Sequence, residues 1–204
     1  MATSFIIVDD FLENPAAVRK LALGLDYEFE GNFPGRNSRQ RLDLPGLADY
    51  VSHLTGEPLK PIDPLGSHGK CRVTLASDPK NAGIHVDDSQ WSGILYLSRN
   101  EDCRGGTRFF RHKRSGTDRA PINDIEAQAM GYSSVSEACN TILDRDAGRP
   151  SAWEKTFEIP MRFNRLVMLR PWFWHTSCPG FGNSLENGRL IQVMFFTLDP
   201  ARMR

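Results

Sequence analysis

Residues 81–98 read NAGIHVDDSQWSGILYLS: a glycine, a histidine and two aspartates, followed by an apolar run of the kind that forms strands. A chain about to bury itself gains little in packing from His85, Asp87 and Asp88, so their placement asks for a chemical reason. If the stretch is extended, successive side chains alternate between faces, and His85 and Asp87 share one face while Val86 and Asp88 take the other. An imidazole nitrogen and a carboxylate oxygen converging in this way form a mixed donor set suited to a borderline transition metal. They would supply two of the three ligands of a 2-His-1-carboxylate triad, with a second histidine to come from elsewhere.

The remaining histidines are 53, 68, 112 and 175. His53 falls near the end of a short helical pattern, where an imidazole suits the helix dipole. His68 lies in the turn PLGSHGK and reads as solvated. His112, in FFRHKRSG, reads as a surface residue at a strand end. His175 closes NRLVMLRPWFWHTS, whose apolar length demands burial, so it is either a satisfied core residue or a ligand.

The chain has 204 residues, with 25 lysines and arginines against 25 aspartates and glutamates. One domain over 1–204 is expected, with no global charge to recommend nucleic acid or a membrane as partner. The start, MATSFIIVDDF, reads as neither a signal peptide nor a span, and a soluble cytoplasmic protein is the expectation. Cys71, Cys103, Cys139 and Cys178 show no C-x-x-C spacing, which argues against a zinc knuckle and for reduced, packed thiols.

Along the chain, helices come first and strands after. Asn14 followed by Pro15 predicts a helix start, with Val18, Leu21, Ala22 and Leu25 on one face. A second helix is expected over 47–54, closed near Gly56, and GNFPGRNSRQ between the two reads as loop. From Cys71 onward CRVTLAS, GILYLS, TRFFRH, KTFEIP, RLVMLR and RLIQVMFFTL read as short strands of a β-sandwich or barrel. The expected layout is an N-terminal helical support over about 1–70, a β core over about 71–198 and an insertion over about 115–151. Within the insertion, Ser134 and Glu137 form a capping-box pattern, and a segment of that length is expected to act as a lid.

The order His85-x-Asp87, GILYLS, CRGGTRFF, NRLVMLRPWFWHTS and NGRLIQVMFF resembles the iron(II)- and 2-oxoglutarate-dependent dioxygenases, in particular their prolyl-4-hydroxylase-like branch. The resemblance implies a mainly β fold with bracing helices, the double-stranded β-helix or cupin-like jelly roll. It also implies His85, Asp87 and His175 as the Fe(II) ligands and Arg189 as the partner of the far carboxylate of 2-oxoglutarate. Tyr96 matches a position whose phenol can bond the same carboxylate, and Gly105 and Gly106 match a structural turn. For the near carboxylate, Arg72, Thr74 and Ser77 stay open. The implied reaction uses dioxygen and decarboxylates 2-oxoglutarate to succinate while hydroxylating an amino acid, a peptide or another small molecule.

Other residues have plainer readings. Trp172 and Trp174 suit core packing, Asp88 a turn, Cys178 inert packing, and the basic run RFFRHKRSGTDR a solvated strand end. Two rival functions share the motif: a non-catalytic jelly-roll binding module, and a hydrolase in which the triad activates water on a metal. Arg189 and Tyr96 discriminate, since a hydrolase has no need of a cosubstrate carboxylate site. Asp87 also speaks against a halogenase, in which a small residue replaces the carboxylate ligand.

Overall fold

The computed structural model describes residues 3–31, 33–78 and 83–203. Its strands are β1 (Phe5–Val8), β2 (Phe29–Glu30), β3 (Arg36–Arg41), β4 (Leu59–Pro61), β5 (Lys70–Thr74), β6 (Trp91–Tyr96), β7 (Gly106–His112), β8 (Trp153–Pro160), β9 (Leu166–Leu169), β10 (His175–Ser177) and β11 (Arg189–Leu198). Its helices are α1 (Pro15–Leu23), α2 (Leu47–Thr55), α3 (Asp124–Ala129) and α4 (Val135–Asp146). The large sheet runs β1-β9-β6-β11-β5-β3-β2 with β4 also on β11, and the small one β10-β7-β8. All the pairings are antiparallel. This is the double-stranded β-helix.

β11 shows how the layers form. Leu190, Met194 and Phe196 point outward into a core that Ala22 of α1 and Val51 of α2 complete. Ile191 and Val193 point inward and meet Phe109 and Ile159 of the small sheet. Burial on both faces explains why its sequence is almost uniformly apolar, and each fully buried large side chain contributes roughly 1.5–3 kcal/mol. At the start of β7 the chain passes close to the backbone of β8. A Cβ on Gly106 would lie 1.9 Å from the Ile159 carbonyl oxygen, so only glycine fits there.

Several expectations are met. Asn14 caps α1 by accepting from Ala17 N, and α2 ends at Gly56 in the left-handed region. Others need correction. Leu21 is 61% exposed, and Ala22, Val18 and Leu25 carry the packed face of α1 instead. The region before residue 70 is not only helical, because β1, β2, β3 and β4 all join the large sheet. β3 lies in the stretch read as loop. Its sequence RNSRQR has no apolar alternation, and it is held by pairing with β5 and by Ser38 Oγ, which accepts from Cys71 N at 2.9 Å.

The insertion meets its expected cap in part. Ser134 caps α4 as predicted, but the Glu137 carboxylate accepts from Ser133 N rather than from the cap residue. Ile142 of α4 and Ala120 pack with Trp153 and Trp174 on the outer side of the small sheet. Trp153 Nε1 donates to Asp146 O at 2.7 Å, and Ile84 N donates to Ala147 O at 3.2 Å. The segment packs on the outer side of the small sheet.

Two histidines read as surface residues are not. His112 is 1% exposed, with Nε2 3.0 Å from Asp146 Oδ2 and Nδ1 2.8 Å from Ser115 Oγ. His68 Nδ1 donates to Phe195 O at 2.7 Å, with its ring edge-on to Phe196. Burial pushes the His68 pKa down. The basic run, by contrast, is a paired surface: Arg108 with Glu158, Arg111 with Asp118 and Arg119 with Glu126. Trp174 is core, and no helix among the described residues is long and apolar enough to cross a membrane.

Candidate metal centre

β9 ends at Leu169, and the chain leaves the large sheet through Pro171 to start β10 at His175. The run that ends in His175 is therefore not one strand but a crossing between sheets. On arrival His175 meets His85 across an antiparallel bridge, with His85 N donating to His175 O at 2.9 Å and His175 N donating to His85 O at 3.1 Å. Asp87 N donates to Pro171 O at 3.1 Å, which keeps the tripeptide extended. His85 and Asp87 then enter the same cavity as His175. One donor atom from each of the three lies within 4.8 Å of the others.

The second ring nitrogens settle the tautomers. His175 Nδ1 is 2.8 Å from Phe173 O and His85 Nδ1 is 3.2 Å from Gly83 O. A carbonyl can only accept, so both Nδ1 atoms carry the hydrogen and both Nε2 atoms are left for the centre. Those Nε2 atoms stand 3.7 Å and 3.5 Å from Asp87 Oδ1 and Oδ2. The Ser92 hydroxyl donates to Asp87 Oδ2 at 2.6 Å.

Charge in this cluster is strongly redistributed. Burial, assisted by His175 and opposed by Asp87, pushes the His85 pKa down to about 4. Burial alone would lower His175 as well, but the Asp87 carboxylate raises it above its ordinary value. Burial would raise Asp87, yet the two imidazoles and the Ser92 hydroxyl hold it well below the usual carboxylate range. The donor set, open on one side to a cavity, fits a divalent transition metal.

The cavity has a volume of about 370 Å³. Arg189 lines it at 2% exposure, and its Nε and Nη2 find no hydrogen-bond partner among the described residues. Such orphaned buried donors are rare. Burial pushes the Arg189 pKa down. Arg72 and Thr74, two of the three upstream candidates, also line the cavity, and Ser77 does not. Tyr96 is placed differently from expectation. It is fully buried, and its hydroxyl lies 2.8 Å from Thr107 Oγ1. Thr107, reaching in from β7, stands at the cavity wall in its stead. Asp88 sits exposed at the rim.

Ser92, Thr107, Asn37 and Phe33 line the cavity without having been singled out in the sequence. Ser92 and Thr107 are small polar residues on inward-facing strand positions, an irregularity that alternation alone exposes. Asn37 and Phe33 come from the stretch read as loop and carry no such signal.

No curated protein sequence matches this chain. Among solved structures, HygX from Streptomyces hygroscopicus, with nickel, 2-oxoglutarate and hygromycin B bound, superposes at a TM-score of 0.55 and 14% identity over 98% of this chain and 84% of that one. The non-heme alpha ketoglutarate dependent carbocyclase SnoK from nogalamycin biosynthesis does so at 0.50 and 13% identity, over 95% of this chain and 79% of that one. At these identities the likeness establishes the shared fold. Residues 1–196 match a family of unknown function, DUF6445, and the chain belongs to that family.

Proposed function

We propose that the protein is an Fe(II)- and 2-oxoglutarate-dependent oxygenase that oxidises a carbon of an amino acid, peptide or other small molecule. Arg189 is the observation that carries this reading. A buried guanidinium with two unpartnered nitrogens stands at the wall of the cavity that also holds three convergent metal donors. An uncompensated buried charge is costly, and an anionic ligand removes that cost. A hydrolase with the same donors would have no use for Arg189, and a simple binding module would have none for the donors. The bound contents of HygX and the cosubstrate of SnoK point the same way.

When bound, iron and 2-oxoglutarate supply the oxidising chemistry, which uses dioxygen and yields succinate. The rest is done by side chains. His85, Asp87 and His175 would hold the metal from one side and leave its other positions free for ligands. The Phe173 and Gly83 carbonyls fix the rings, and Ser92 fixes the carboxylate. Arg189 would take the far carboxylate with its planar fork, flanked by the Thr74 and Thr107 side chains. Phe33, Ile62 and Phe195 give the cavity apolar walls that exclude water and hold a carbon skeleton near the centre.

Anaerobic titration of the protein with iron(II) and then 2-oxoglutarate tests the reading. A visible charge-transfer band that needs both components is the expected result. Its absence from folded, iron-loaded protein overturns the assignment.

A further inference from the structure

Arg189 is not the only cation in the cavity. Arg72 lines it as well, two residues from Thr74, the cross-strand partner of Arg189. Its Nε donates to Asn37 Oδ1 at 2.8 Å and its guanidinium lies over the Phe33 ring, 5.2 Å from the centroid. No ion pair among the described residues includes it. Burial pushes its pKa down to about 10, with Arg189 adding to the effect and Asp87 opposing it. The Phe33 ring beneath it lies against the candidate centre, 4.5 Å between its centroid and that of the His85 ring.

Charge balance gives this a consequence. The walls carry two guanidiniums, of Arg189 and the half-buried Arg72, against the carboxylate of Asp87, one positive charge in excess. A divalent cation and a dianionic keto acid cancel each other and leave that excess in place. Asp88 at the rim is exposed, and solvent screens it. We propose that Arg72 anchors a carboxylate on the primary substrate, so that the reaction acts on a small monoanionic acid whose apolar part lies along Phe33, Ile62 and Phe195. This rests on the oxygenase reading and narrows its substrate class. One excess charge matches a carboxylate better than a doubly charged phosphate. The volume of about 370 Å³ lies at the small end of ligand cavities, which run from about 300 to 1,000 Å³. The Asn37 contact and the Phe33 ring hold the guanidinium plane, so its terminal nitrogens are presented ready for a forked contact.

The test uses the nickel-loaded full chain with saturating 2-oxoglutarate, probed by calorimetry with matched acids and amides: acetate and acetamide, phenylacetate and phenylacetamide. The parent should prefer at least one acid over its amide by about tenfold or more. Arg72→Gln should reduce that preference to within about twofold while changing 2-oxoglutarate affinity by less than about threefold. Arg72→Lys, which keeps the charge, should retain part of the preference. Absence of preference in the parent, or its survival in Arg72→Gln, overturns the proposal. A loss of about tenfold or more in 2-oxoglutarate affinity for Arg72→Gln also overturns it and makes Arg72 a cosubstrate anchor. If the parent fails to bind 2-oxoglutarate, the oxygenase reading fails. An Arg72-dependent preference measured with nickel alone would then still support the acid anchor, and its absence would sink that too.

Discussion

Ser92 on β6 donates a 2.6 Å hydrogen bond to Asp87 Oδ2 and is itself 2% exposed. The carboxylate is thus aimed by a strand of the large sheet, although Asp87 belongs to the segment that pairs toward the small one. Ser92→Ala should lower nickel or iron(II) affinity by about 10–100-fold, the usual range for a residue that orients a ligand. Calorimetry with folding checked by circular dichroism decides it. An unchanged affinity would mean that Asp87 is held by packing alone.

Metal binding should release protons over the range in which His175 titrates. Asp87 raises the pKa of His175 above its ordinary value, and a metal needs the neutral ring. Affinity should therefore fall as pH drops through the raised His175 value and level off above it. His85, already pushed down to about 4, adds nothing to that slope. Isothermal titration in two buffers of different ionisation enthalpy counts the protons, and a count of zero across this range contradicts the pairing.

Arg189→Met should produce opposite effects on the free and bound protein. Without ligands, an unpartnered buried cation gives way to an apolar chain of similar length, so unfolding stability should hold or rise, by up to about 4 kcal/mol. 2-Oxoglutarate affinity should fall by about two to three and a half decades, equivalent to about 3–5 kcal/mol. Metal affinity in the absence of cosubstrate should stay the same. A 2-oxoglutarate affinity within about threefold of the parent would remove Arg189 from its assigned role.

Glu57 accepts from Arg170 Nη1 at 3.1 Å, and Arg170 stacks on Trp91 with 4.1 Å to the centroid. Burial would raise the Glu57 pKa, but Arg170 and Gln90 hold it below the ordinary carboxylate range. A depressed carboxyl contributes stability above its unfolded pKa and loses it as pH falls through the folded one. Glu57→Gln should cost about 1–3 kcal/mol near neutral pH. The cost should shrink in acid, where the parent carboxylate is protonated as well. Urea denaturation of both proteins across this range shows whether the curves converge.

Ile142→Ala, in the braced insertion, should destabilise the fold by about 2–5 kcal/mol because the side chain is fully buried against Trp153 and Trp174. 2-Oxoglutarate affinity at a temperature where the variant is folded should not change. A variant as stable as the parent but impaired in turnover would support the role of a cover for the segment.

Much of this was legible in the sequence because the signals are local. Strand alternation, the Asn14–Pro15 and Ser134 starts and the Gly56 stop each depend on a few adjacent residues, and His85 and Asp87 share a face by geometry alone. Tertiary structure decided the rest, for physical reasons that differ from residue to residue. β3 is a strand only because β5 offers it an edge, since RNSRQR has no apolar face to announce it. His112 looked like surface beside its lysine and arginines, but Asp146, 34 residues away, satisfies a ring that the insertion then buries. Tyr96 yielded the cavity wall to Thr107 because the two sheets lie close enough for its phenol to span the gap. Arg72 was one candidate among three until the fold placed it in the same cavity as Arg189, with no ion pair to it among the described residues, a charge balance that only the assembled cavity possesses.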